Sequence, residues 1–162
     1  MTLSRRLLIF GGLALAVWGM GYGIWYAVFI EHQTLDGLGS ALATGFMRAA
    51  ENRMAESQTA LSDAASRSFV YVRQVDAHGH WIGLGLLLLI LGIAFDRVGF
   101  GERVRTYLAI ALLAGAVTFP LGVLLETWNR GRGPQAVAII GSALVILGLS
   151  GTALGFARSN SD

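Results

Sequence analysis

The chain carries three histidines, His32, His78 and His80, and no cysteine. Neutral imidazole is a good ligand for zinc, copper, nickel and iron, and a carboxylate nearby completes the shell or orients the second ring nitrogen. Asp76 precedes the pair in the run Asp76-Ala77-His78-Gly79-His80, and Glu31 adjoins His32. Two histidines spaced in this way bind one metal if Gly79 interrupts the helix, as its backbone freedom allows. The absence of cysteine removes disulfides, thiolate metal sites, iron–sulfur clusters and thioether-attached haem. All twelve basic residues are arginine, so there is no lysine for a Schiff base or a P-loop.

The elements that position the histidines are membrane helices. Hydrophobic residues make up 54% of the 162 and charged residues 14%, a membrane composition. A hydrocarbon core of ~30 Å needs about 20 apolar residues per helix, which predicts an all-α four-transmembrane-helix bundle with spans at about 7–30, 78–95, 106–125 and 136–156. The first span is too long for a signal-peptide core and lacks a cleavage site, so it is expected to remain as an anchor. Arg5, Arg6, Arg97, Arg103, Arg105 and Arg158 place the N and C termini in the cytoplasm of what reads as a bacterial inner membrane. Arg130 and Arg132 weaken that bias without reversing it. The net charge of +2 falls on both faces and gives no sign of nucleic-acid binding. Trp25, Tyr26, Trp81 and Trp128 then fall at the outer helix ends, where aromatic anchors belong.

Residues 33–76 form the one long hydrophilic region, with no proline and no glycine after Gly45. It is expected to be an extracytoplasmic helical insertion of two helices, joined near Glu56 to Thr59. Trp81 to Phe95 spans only about 22 Å as a helix, so the second membrane helix must draw His80, His78 and Asp76 into its outer end. Residues two apart point about 200° away from one another. In a regular helix, His78 and His80 therefore cannot both face one interior.

Glycines seven apart recur in every span: Gly12 and Gly19, Gly85 and Gly92, Gly115 and Gly122, and Gly141, Gly148 and Gly155. Small residues permit close helix approach in lipid, and a period of seven favours left-handed, small-angle packing. One heptad before Gly85 is His78, and one more is Tyr71, which makes His78 the inward histidine. The same count sets Trp18, Trp25 and His32 on one stripe, and Arg105, Leu112, Phe119 and Glu126 on another. His32 and Glu126 are thus expected to converge near His78. The expected ligands are His78, His32, His80, Glu126 and Asp76, holding haem b or a transition metal such as copper, zinc or iron. Pro120 lies within the third span, where packing is its ordinary role.

In layout, four helices with histidines toward one end are similar to four-helix b-type cytochromes, a resemblance of architecture that implies haem and a quinone or other redox partner. Two classes follow. One is a haem or metal protein of redox, electron-transfer or metal-handling type. The other is a non-catalytic accessory or assembly subunit that packs its glycine seams against itself, as a homo-oligomer, or against a larger membrane complex.

Overall fold

A computed structural model describes residues 1–159, in which helices joined by short connections make up the fold and no strand occurs. The helices are α1 (Leu3–Phe29), α2 (Glu31–Ala50), α3 (Met54–Ala94), α4 (Glu102–Leu125) and α5 (Arg132–Ser159), with one 3₁₀ turn at Phe95–Arg97. Four of them, α1, α3, α4 and α5, are long and apolar enough to cross a membrane.

The first three helices make one long antiparallel hairpin. Ile30 leaves helical geometry (φ −123°, ψ −40°), yet its N–H still bonds Tyr26 O, so α2 follows α1 across a local break. After α2 the chain reverses within three residues. Asn52 takes a left-handed φ of 58°, while Asn52 N–H donates to Ala49 O at 3.0 Å and Arg53 N–H to Arg48 O at 2.8 Å. This is a Schellman cap with asparagine in the place glycine usually takes. The reversal therefore sits at Glu51–Arg53, ahead of the Glu56–Thr59 joint that the sequence suggests, and Glu56 to Thr59 lie inside α3.

α3 runs back along both α2 and α1 without interruption for 41 residues. At 1.5 Å per residue it is ~62 Å long, about twice the hydrocarbon core. The second membrane helix does extend upstream past His78, but it runs straight through Gly79 instead of breaking there.

Glycine sets the packing distances. A Cβ on Gly12 would stand 2.6 Å from Gly85 O, one on Gly85 2.7 Å from Ala16 N, and one on Gly92 3.0 Å from Ile9 N. Gly115 meets Gly141 and Val145, and Gly122 meets Ala138, across α4 and α5. The heptad glycines are therefore the contact surfaces of two helix pairs, α1 with α3 and α4 with α5. Pro120 is buried within α4, where it fills space.

One end of the bundle is clasped by polar contacts. Thr2 Oγ1 and Arg5 Nη1 each donate to the Asp96 carboxylate at 2.8 Å, and Ser4 N–H donates to Glu102 Oε1 at 3.0 Å. Gly99 N–H donates to Gly155 O at 2.9 Å. The chain start, the α3–α4 connection and the end of α5 thus share one arginine-rich end, and the reversal at Asn52 lies at the other end of the hairpin.

Candidate functional site

α3 displays its two histidines on different sides, as its regular winding requires. His78 faces α1, where a Cβ on Gly23 would lie 3.0 Å from its Cδ2. His80 faces α4, its ring edge-on to Phe119 at 4.8 Å. Each Nδ1 donates to the carbonyl four residues back, His78 to Gln74 O at 3.1 Å and His80 to Asp76 O at 2.6 Å. That bond fixes the ring and leaves Nε2 as the atom free to bind.

The other candidate ligands lie elsewhere. His32 is exposed on α2, beyond the break at Ile30, which interrupts the helical count from Trp18 and Trp25. Glu126 lies 2.9 Å from Arg73 Nε, with side-chain exposures of 13% and 35%. Its own stripe on α4 meets the His80 side of α3 through Phe119, so Glu126 and His78 do not converge. Asp76 is 3.7 Å from Arg73 and shares one shallow groove with His80. Among the described residues, no three His, Asp or Glu side chains gather as a group able to hold a metal.

The tryptophans also divide. Trp25 and Trp128 are exposed, as interfacial anchors are. Trp81 and Tyr26 are buried instead, because Gly19 beneath Trp81 lets its ring enter the bundle. Trp81 packs edge-on against Trp18 and Tyr22, and Tyr22 donates its hydroxyl proton to Gln74 Oε1. These rings wall an open cleft of about 620 Å³ between α1, α3 and α4, lined also by Gly11, Leu113, Val117 and Leu121. Among the described residues, no histidine lines it.

The three-to-four spacing of Leu35, Leu42 and Phe46 gives an apolar stripe, and the way α2 lies against α3 makes the hairpin two-sided. One side is polar: Thr44 and Arg48 of α2 face Glu56, Thr59 and Asp63 of α3 across a shallow groove. Arg48, Glu51, Arg53 and Glu56 form an ion-pair network at the reversal. Hydrogen bonds from Arg48 first, then Arg53, hold the Glu51 carboxyl below its ordinary value. The seam between the helices is built of small residues: Ala41, Gly45, Ser57 and Ala64 are buried, and Ser57 Oγ donates to Gly45 O at 2.8 Å.

The other side is apolar and uncovered. Leu35, Leu42 and Phe46 follow one stripe of α2, and Met54, Leu61 and Val72 one stripe of α3, with Leu61 lying across Gly45 to join the two. Among the described residues, no charged side chain falls on this side between Met54 and Val72. Helical winding from Leu35 and Leu42 reaches Phe46 in the residue spacings the sequence shows, but the side they share depends on where α3 lies alongside, which no spacing within α2 encodes.

Arg130 ties this hairpin to the α4–α5 connection. Its guanidinium donates to Ser66 Oγ at 2.8 Å and lies 4.3 Å from the centre of the Phe69 ring, with Arg73 at 5.1 Å. Together with Arg73–Glu126, these contacts attach the base of the hairpin to the rest of the bundle.

No family model, curated protein or solved structure matches the chain. The geometry of its own residues therefore carries the functional reading.

Proposed function

We propose that the protein is a membrane-anchored accessory or assembly subunit whose α2–α3 hairpin projects from the extracytoplasmic face of a bacterial inner membrane and docks through its apolar side. The arginine-rich end that holds the chain start then lies in the cytoplasm. The observation that carries this reading is the uncharged face of Leu35, Leu42, Phe46, Leu61 and Val72, set opposite a charged one on the same hairpin. A helix that crosses the bilayer without a break cannot turn to lie on its surface, so lipid does not cover that face. A protein does.

The test uses the full chain, extracted from its native membrane with its surrounding lipid. The wild type is expected in a particle larger than one chain, and Leu42→Glu with Phe46→Glu is expected to release it as a monomer of unchanged helix content. A monomeric wild type, or a double variant that keeps its particle size, would overturn the reading.

A second reading is a haem or transition-metal centre with redox or electron-transfer function, and what favours it is the Nδ1 bonding that presents the Nε2 atoms of His78 and His80. Such a centre would need further ligands from outside this arrangement. An oxidised and reduced absorption spectrum with metal analysis of the purified protein tests it: a Soret band selects haem, a stoichiometric metal without one selects a metal site, and neither signal removes it.

A further inference from the structure

We infer that the partner on the apolar face is a second copy of this chain, packed in parallel along α3 about a two-fold axis normal to the membrane. This rests on the docking reading above and names its occupant.

Three observations lead to it. The first is a seam on α3 that its own chain does not use. Ala65, Val72, Gly79, Leu86 and Ile93 are spaced by seven and all exposed, so they run as one stripe from the hairpin into the membrane span. A repeat of seven is the signature of a left-handed pair in continuous lengthwise contact. A partner that follows it must itself be a helix of comparable length, oriented along the same axis.

The second is glycine placement. Gly12, Gly19, Gly85 and Gly92 are each filled to contact by another helix of the chain, whereas at Gly79 and Gly83 no other part of the described chain comes within 4 Å of a Cβ. These two line, with Asp76 and His80, a shallow groove of about 480 Å³ on α3. Glycines four apart on a lipid-facing surface admit a close neighbouring helix, and none of this chain's own helices takes that place.

The third is charge and area. A two-fold interface brings a surface against itself, so any charge on it meets its like. The described stripe has none between Met54 and Val72, where the ionic groups Arg48, Glu56, Asp63 and Arg67 all lie on the opposite side; Asp76, the one acid beside Gly79 and Gly83 in the groove, is countered by Arg73 of its own chain at 3.7 Å. Leu35, Leu42, Phe46, Met54, Leu61 and Val72 are between 38% and 68% exposed. They leave on the order of 500 Å² of apolar surface per hairpin, the size of patch that is often functional. A pair burying it reaches the ~1,000 Å² that specific association needs. Copies inserted by the same route share one orientation, which supplies the parallel arrangement without further assumption.

The chain lacks cysteine, so single cysteines report proximity directly. Val72→Cys and Leu86→Cys are to be oxidised in native membranes, with Thr59→Cys on the polar side as the reference. Disulfide-linked homodimers are expected at both seam positions and not at Thr59. Adding Gly79→Ile and Gly83→Ile to Val72→Cys should lower the linked fraction about five- to thirtyfold, because branched side chains at those positions hold the two α3 helices apart. Those glycines touch nothing within the described chain, so the monomer fold is retained, which helix content verifies.

Homodimers at Thr59 in place of Val72, or seam cysteines that never link to themselves, would overturn the second-copy assignment. If Val72→Cys links only to a different polypeptide while the native particle stays large, the second copy is excluded and the docking reading stands. If the wild type is monomeric in its membrane, both fall.

Discussion

Replacing Gly85 by alanine sets the cost of the α1–α3 seam. The added Cβ would stand 2.7 Å from Ala16 N and Gly12 O and 3.1 Å from Ala16 Cα, whereas non-bonded carbon contacts relax at about 3.5–4.0 Å. All three atoms are backbone, so no rotamer change relieves the overlap and the helices must part by roughly the shortfall, ~0.7–1 Å. A gap of that size forfeits a quarter to a half of each van der Waals attraction along the seam, and overpacked sites of this kind typically lose about 1–3 kcal/mol. Alanine returns up to ~1 kcal/mol in helix propensity. The net expectation is a loss of about 0–2 kcal/mol against the wild type, and of about 1–3 kcal/mol against a glycine-to-alanine change that meets nothing.

Gly21→Ala on α1 is the matched control, because nothing lies within 4 Å of its Cβ and only the propensity gain of up to ~1 kcal/mol applies. Gly148→Ala should fall between the two, since the atoms it meets are the Leu112 side chain at 2.6 and 2.7 Å, which can swing aside. Reversible unfolding in mixed micelles, followed by far-ultraviolet circular dichroism against the mole fraction of denaturing detergent, measures all three. If Gly85→Ala is as stable as Gly21→Ala, close backbone approach is not what holds α1 to α3.

At the reversal, Asn52→Gly should be neutral and Asn52→Val should cost about 1–2 kcal/mol, because a β-branched residue resists the left-handed φ; thermal unfolding of the two variants compares them. Glu126→Ala leaves the Arg73 guanidinium with only its longer Asp76 contact at 3.7 Å and should cost about 1 kcal/mol, above Glu56→Ala in the exposed network, as chemical denaturation of both would show. Glu51 has a lowered pKa in the fold, so its contribution is fully present above the ordinary carboxyl value of 4.5 and is lost as pH falls through the lowered one. Hydrogen exchange at the Asn52 and Arg53 amides should accordingly speed up, relative to neighbouring α2 amides, only in that acid range; no change there would mean the Arg48 and Arg53 bonds do not hold the reversal.

Much of the bundle is legible in the sequence because membrane helices leave simple traces. Apolar run length marks the four spans, and the heptad glycines mark the faces that meet, down to His78 turned toward α1. The shortness of the Trp81–Phe95 run rightly draws the histidines into a helix. Distances across the sequence are what such traces do not carry. The stripe of Glu126 points to the histidines, but its partner is Arg73, a residue 53 positions away that no local period connects to it. Counting from Trp18 turns His32 inward, when the seam of α1 runs through Gly12 and Gly19 on another side. The reversal escapes notice because asparagine, able to adopt a left-handed φ, carries a much weaker signal than glycine or proline. Trp81 reads as an anchor because a tryptophan at a span's end usually is one, and only the neighbouring Gly19 shows that there is room for it inside.

The unbroken course of α3 has a mechanical meaning. With no joint over 41 residues, a tilt at the reversal is a tilt at Trp81: leaning by about 10° moves a point ~30 Å along the helix by ~5 Å and turns the segment around Trp81 through the same angle. The other arm of the hairpin is interrupted at Ile30, so two helical segments, α1 and α2, pack against one continuous α3. One helix thus joins the reversal, the Arg73–Glu126 and Arg130–Phe69 contacts and the Trp81 cluster in a single straight body.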